Sequence, residues 1–353
     1  MDSVVRTFLT RTAVALAVIV LCRQLRAVDA PPTLARVRAA EVLRCGIDVE
    51  QAEYSTSDDH GNRQAFDADL CRAVGVAVLG KNAQITMLHF PDDRTSMQAL
   101  TNGDVDLIAT LSDDFTHGVG THIEFTRPVL WDGVGFLLPS KSLVTSARQL
   151  TGKKICFLAE TMVEESVRVW FNRKHFDFVP FPFQEEGEMQ AAFATGNCDA
   201  LAGDRTRLAQ LRTALAQHQQ HSRLLLDRIS KDPLASATRD NDPQWATVVS
   251  WVMEALIQAE ESGVTRANVS RMHTLAASPR GTDPALRFLL GGSHEIGSAL
   301  QLEDDWVVNV IETTGNYGEI YERDLGTASA MKLPRGENRL RADGGLMMAL
   351  PPK

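Results

Sequence analysis

No run of basic residues with interleaved aromatics occurs in this sequence, whose formal charge is −9 and whose aromatic content is only 6%. A phosphate-binding surface needs the opposite balance, so the composition argues against nucleic acid as a partner. Beyond the first thirty residues no stretch approaches twenty consecutive apolar residues, which excludes a polytopic membrane protein. No two cysteines stand two residues apart, as a structural zinc site would want. GxSxG, HExxH and GxGxxG patterns are missing, and so is a phosphate-binding glycine loop. Nothing therefore calls for a metal, a cofactor or a covalent catalyst.

What is present is a chain of 353 residues, 44% hydrophobic, long enough for two lobes rather than one small domain. Arg6 and Arg11 precede the apolar run Ala13 to Cys22, and Val28 and Ala30 have the small-residue spacing of a signal-peptidase cut. Residues 1–30 read as an export signal. Pro31 directly after the cut leaves uncleaved anchoring open, and Leu21 stands where a lipid-modified Cys22 would want a small neighbour. Removing the signal leaves Cys45, Cys71, Cys156 and Cys198, an even set compatible with an oxidising compartment. Three pairings exist. Placing the first two in one lobe and the last two in the other favours Cys45 with Cys71 and Cys156 with Cys198; buried free thiols are the alternative.

Short apolar runs alternate with amphipathic segments, the pattern of an α/β chain with helices covering sheets. Leu43 to Ile47, Ile85 to Phe90 and Val105 to Ala109 read as strands, and Phe66 to Leu79 as a helix; Gly103 and Asp104 end the helix before the third strand. The pattern restarts with a strand at Lys154 to Leu158, a helix at Thr161 to Phe171, an extended stretch at Phe176 to Phe181, a helix at Glu185 to Ala194 and a strand at Cys198 to Ala202. Trp131 to Pro139 and Leu224 to Arg239 are extended crossings, as two hinge strands would be. Residues 31–136 then form the first part of lobe 1, 137–226 form lobe 2, and 227–326 return to lobe 1 with a helical extension. The Gly- and Pro-rich tail, 327–353, is expected to wrap the surface. Such an arrangement puts a cleft between lobes that close on a small molecule.

Several segments resemble one family. LRCGI at Leu43 to Ile47, AFDADLCRAV at Ala65 to Val74, WDGVGFLLPSK at Trp131 to Lys141 and ISKDPLASATRDNDPQW at Ile229 to Trp245 are similar to the type 3 extracellular solute-binding proteins. GNYGEIYERDLG at Gly315 to Gly326 and LPRGENRL at Leu333 to Leu340 narrow this to the general L-amino-acid receptors of ABC importers. The resemblance implies a two-lobed periplasmic-binding-protein fold of type II with a helical C-terminal extension. It further implies an exported, monomeric, periplasmic receptor that hands a small amino acid or amine to an ABC permease.

An α-carboxylate wants a bidentate arginine and helix-start N–H groups, and an α-ammonium wants a fixed carboxylate. The family's arginine belongs at His117 or Gly118, and none is there. Asp113, with Asp114 beside it, adds negative charge instead. At the second-lobe helix start, Glu160 occupies the place of a glycine, followed by Thr161. In the first loop Tyr54 keeps the aromatic on which the family stacks its ligand, among acidic Glu50 and Glu53. Asp204 matches the acid that receives the ammonium. The expected ligand set is therefore Tyr54, Asp113, Glu160, Thr161 and Asp204, and it suits a cationic solute, unless Arg94, Arg127 or Arg205 enters the cleft. An exposed loop tyrosine and two helix-start carboxylates are the structural alternatives. A degenerate receptor serving as a sensor or partner-binding module is a second reading. An enzyme using Glu160 with Asp204 as an acid and base pair is a third.

Overall fold

The computed structural model describes residues 32–48, 56–57, 63–278 and 283–351. The expected signal segment and Tyr54 lie outside these residues. Along the chain, α1 (Thr33–Ala40) leads into β1 (Val42–Asp48), followed by α2 (Phe66–Leu79), β2 (Gln84–Phe90), α3 (Asp93–Asn102), β3 (Leu107–Ser112) and β4 (Ile123–Asp132). A second set comprises β5 (Val134–Pro139), β6 (Lys154–Leu158), α4 (Met162–Lys174), β7 (Val179–Phe183), α5 (Glu186–Ala194), β8 (Ala200–Asp204), α6 (Arg205–Gln217) and β9 (Ser222–Leu224). The chain then returns through β10 (Asp232–Arg239) to α7 (Pro243–Glu261), α8 (Val269–Ala276), α9 (Pro284–Leu289), α10 (Glu295–Leu300), α11 (Trp306–Thr314) and α12 (Tyr317–Asp324).

These strands make two five-stranded mixed sheets, ordered β2-β1-β3-β10-β4 and β9-β5-β8-β6-β7. In the first, β1 runs parallel to β2 and β3, while β10 is antiparallel to β3 and β4. In the second, β6 runs parallel to β7 and β8, while β5 is antiparallel to β8 and β9. This is the two-lobed α/β arrangement of type II binding proteins, with two strand crossings as its hinge. Open sheets of this kind present ligand sites at the carboxyl ends of their parallel strands. Here those ends are Ser112 of β3 and Asp204 of β8.

Each sheet is covered on both faces. α2 is apolar almost all round, so it is buried between β1 and α11, and Trp245 of α7 and Trp306 of α11 are buried in the same core. Each such side chain contributes roughly 1.5–3 kcal/mol of transfer free energy. Polar anchors fix the register: Trp245 Nε1 donates to Asp106 O at 2.8 Å, and Tyr317 Oη donates to Val129 O at 2.8 Å. In the second sheet, Phe136, Phe157 and Phe171 fill one face, while Met189, Phe193 and Leu208 fill the other. Helix ends follow local chemistry. Asp92 caps α3 through Thr95 N at 2.8 Å, Asp242 caps α7 ahead of Pro243, and Asn316 with Glu319 forms a reciprocal cap on α12.

Both disulfides join elements of one sheet's own set. Cys45 of β1 bonds Cys71 of α2, with Cα atoms 6.0 Å apart, and Cys156 of β6 bonds Cys198 just before β8, with Cα atoms 5.8 Å apart. Several element bounds differ from the sequence reading, with β8 starting at Ala200 rather than Cys198 and α4 running on to Lys174. β3 starts at Leu107 rather than Val105, because the buried Asp106 carboxylate takes the Arg44 N–H at 2.9 Å and holds the residues before β3 in a turn. Extended structure at Phe176 to Phe181 shifts to β7 at Val179, since Phe176 still closes the end of α4 by donating to Phe171 O. The tail does more than wrap the surface: Met331, Leu333, Leu340 and Met347 are buried in the main core.

The hinge is tight. Gly133, between β4 and β5, has φ +146°, and a Cβ there would stand 2.6 Å from Ser230 O on the returning strand. Val134 N donates to Ser230 Oγ at 2.9 Å, and Ile229 N donates to Val134 O at 2.9 Å, so the two crossings are tied to each other.

Candidate ligand-binding cleft

Two adjoining cavities of 330 and 380 Å³ open between the sheets and share Asp93, Ser112, Asp204, Arg207 and Asp232. Register explains this gathering. Leu234 of β10 pairs with Ser112 at the end of β3, and Asp232 pairs with Asp132 at the end of β4. Asp204 is the last residue of β8 and the residue before α6. Thus Asp132, Asp204 and Asp232, from three strands, meet where the two lobes are joined.

Their environments differ. Asp132 is buried and saturated by the start of α6: it accepts from Arg205 N at 3.1 Å, Thr206 N at 3.1 Å and Thr206 Oγ1 at 2.5 Å. Charge-assisted bonds of this kind fix the carboxylate's position. Asp204 is half-buried in the crevice; burial first, then the charges of Asp132 and Asp232, push it up to about 7, against the pull of Arg207. Asp232 is pushed up to about 6, again by burial first, with a Ser112 hydrogen bond opposing and Asp132 adding repulsion. A cation placed between Asp204 and Asp232 would relieve both repulsions.

Of the other expected ligand residues, Thr161 lines the second cavity and caps α4, accepting from Glu164 N at 3.4 Å. Glu160 stands beside it, exposed, and is not among the cavity-lining residues; its φ of +60° is the left-handed geometry that favours glycine. Its N–H donates to Glu164 Oε2 at 2.9 Å, so this helix start is already served by a carboxylate of the chain. Asp113 is half-buried and also off the lining. Burial and then Asp114 raise its pKa, and its N–H donates to Pro233 O at 2.8 Å. Its neighbours Ser112 and Asp114 face the cavity instead. His117, one of the two positions expected for the arginine, lines the cavity, with Nδ1 3.0 Å from Asp114 and Nε2 3.7 Å from Asp93.

None of the three arginines considered from sequence supplies the cleft. Arg127 pairs with Glu254 at 3.3 Å, Arg205 turns to the Leu225 and Leu226 carbonyls, and Arg94 is not on the lining. Arg207 in the first turn of α6 lines both cavities, and Lys231 lines the second. Sequence reasoning also missed Asp132 and Asp232. Asp232 falls within the crossing Leu224 to Arg239, but register alone shows that it pairs with Asp132. Beyond the acids, the second cavity has an apolar floor that includes Leu158, Met162, Val163, Met189 and Leu211.

Fold and site together define a two-lobed solute-binding protein with its ligand cleft at the hinge. No family model matches the chain. It is 36% identical over 324 residues to the general L-amino acid-binding periplasmic protein AapJ of Rhizobium johnstonii, covering 90% of this chain and 92% of that protein. It is 32% identical to the glutamate/glutamine/aspartate/asparagine-binding protein BztA of Rhodobacter capsulatus, covering 90% of this chain and 93% of that protein. An ABC transporter periplasmic binding protein from Brucella ovis, solved with glutathione bound, superposes with a TM-score of 0.78 at 34% identity, covering 91% of this chain and 99% of that one. The chain belongs to the periplasmic substrate-binding proteins of amino-acid ABC transporters.

Proposed function

We propose that this protein captures a small amino acid or amine between closing lobes and presents it to an ABC permease. The lobes in this reading are residues 31–136 with the return 227–326, and residues 137–226, with the extended crossings Trp131 to Pro139 and Leu224 to Arg239 as hinge. The protein works as an exported monomer without a cofactor and without catalysis.

The observation that carries this reading is the convergence of Asp204 and Asp232 in a cleft bounded by both lobes. An ammonium group between them gains two charge-assisted hydrogen bonds and removes the like-charge repulsion that raises both carboxylates. The family relationship supports an amino-acid ligand. Replacement of the expected arginine by His117 supports a cationic or neutral solute over glutamate or aspartate. Arg207 is the cation best placed to receive an α-carboxylate, and Thr161 lines the same cavity at the start of α4. Tyr54 completes the expected ligand set.

A thermal-shift screen of the mature protein against proteinogenic amino acids, ornithine, polyamines and small organic acids tests this. A ligand that binds only the folded state raises the midpoint by mass action. A neutral or cationic amino acid or amine should give a saturable shift, weakened about 10- to 150-fold in affinity by Asp204→Asn, the range for a hydrogen bond to a charged group. Absence of any shift from folded, ligand-free protein would overturn the reading in favour of a partner-binding module.

A further inference from the structure

Behind the hinge lies a third cavity, of 520 Å³. Leu130, Asp132 and Thr206 line both it and the front cleft, so the thickness of the hinge strands is all that separates the two. Its walls come from every part of the fold: Trp131 from the first crossing, Arg205 from α6, Arg228 and Lys231 from the second crossing, and Arg335 to Leu346 from the tail. We propose that this cavity is a binding site for a small multivalent oxyanion, a phosphate or a di- or tricarboxylate.

Charge carries the argument. Arg205, Arg228, Lys231, Arg335 and Arg339 line the cavity, against Asp132 and Glu337 as the acids. Asp132 accepts hydrogen bonds from the start of α6 and Glu337 is paired with Arg228, so five cations face two acids on the lining. Arg205 and Arg228 are held to the wall by backbone carbonyls: Arg205 Nη1 donates to Leu225 O at 2.8 Å, and Arg228 Nη1 donates to Trp131 O and Asp132 O, both at 3.1 Å. A carbonyl orients a guanidinium and leaves its net charge in place. Burial pushes both arginines down while the charge of Asp132 opposes it, and the charge of Arg205 adds to the lowering of Arg228.

Arg335 is fixed over the faces of Tyr317 and Tyr321, 5.5 and 5.4 Å from the ring centroids, and by Glu260 at 2.5 and 3.1 Å. Its Nε is buried without a hydrogen-bond partner. Lys231 and Arg339 are exposed and complete the set. Guanidinium forks held in a preset orientation match carboxylate and phosphate oxygens, and an amine solute is repelled by the same field. The volume suits an ion of a few to a dozen heavy atoms rather than a macromolecular segment.

Trp131 reports on the site directly, since it lines this cavity and neither cavity of the cleft. The test uses the mature protein labelled with 5-fluorotryptophan, with its resonance assigned by Trp131→Phe, titrated separately with phosphate and citrate at ionic strength held constant with chloride. We expect a saturable shift of the Trp131 resonance with at least one of the two. The anion with the lower midpoint identifies the class. Arg339→Glu, on an exposed side chain, should raise that midpoint at least about tenfold, the effect of reversing one charge in a charge-assisted site. No saturable shift with either anion, or an unchanged midpoint in Arg339→Glu, would overturn the proposal. Because the readout needs no amino-acid ligand, its failure is distinct from failure of the cleft reading.

Discussion

In front of the hinge the cleft gathers Asp93, Asp132, Asp204 and Asp232, whereas the cavity behind it gathers Arg205, Arg228, Arg335 and Arg339. The same few strands build both faces. Along β4, Leu130 and Asp132 reach the cleft while Trp131 faces only the rear cavity, as alternation along an extended strand requires. Asp204 lines the front and its neighbour Arg205 the back. Opposite charges on opposite faces of a thin hinge teach that hinge residues here are chosen for more than flexibility. Acids predominate on the front face and arginines on the rear, and Asp132, buried between them, belongs to both.

The strongest way to break this arrangement is Asp132→Ala. The carboxylate receives two backbone N–H groups and one hydroxyl from the start of α6, and those donors would be left without a partner at the hinge. Losing charged hydrogen bonds at a buried site costs about 3 kcal/mol or more. Urea denaturation should show a clearly lowered midpoint at nearly unchanged slope, and solute affinity should fall along with it because Asp204 is fixed by the same turn. A variant as stable as the parent would show that Asp132 contributes nothing to joining the lobes.

A second test uses pH. Asp204 and Asp232 sit well above the usual carboxylate range in the folded state, at about 7 and about 6. A group whose folded pKa is raised gives stability that is fully present below its unfolded pKa, near 4, and is lost as pH rises through the folded value. The ligand-free protein should therefore lose on the order of 1–3 kcal/mol between pH 4.5 and pH 7.5 from these two groups, and Asp204→Asn should flatten that slope. Ligand binding runs the other way. A cationic ligand needs the ionised carboxylates, so its affinity should rise over the same interval. Calorimetric melts with and without solute at four pH values check both signs; parallel curves would show that the acids do not meet the ligand.

Much of this architecture was legible in the sequence, and the illegible part has a physical cause. Helical spacing of apolar residues predicts helix α2 at Phe66 to Leu79, and its bounds in the structure are the same. β6 at Lys154 to Leu158 was equally plain. Two crossings with a cleft between them followed from the restart of the βα pattern. The cleft chemistry was only half legible. Asp204 stood out through the family resemblance, but Asp232 becomes a site residue only through strand pairing with Asp132, a long-range contact that no local pattern announces. The family pattern drew attention to the lost arginine at His117. It did not reveal Arg207, whose position in the first turn of α6 is set by where β8 ends.

Arg207 gives the smallest and sharpest test of the front face. It lines both cavities of the cleft and lowers the Asp204 pKa that burial raises. If it receives the α-carboxylate that the missing arginine would have held, Arg207→Gln should weaken an amino acid about three- to tenfold, roughly 1 kcal/mol for a partly solvated pair. The decarboxylated amine of the same side chain should be affected less. Removing the arginine also leaves the acids less compensated, so the amine should bind as well or slightly better at pH 8, where Asp204 is ionised. Isothermal titration of matched amino acid and amine against parent and variant separates these effects. Equal losses for the two ligands would mean that Arg207 shapes the cleft without touching a carboxylate, and the front face would then recognise its solute through the ammonium alone.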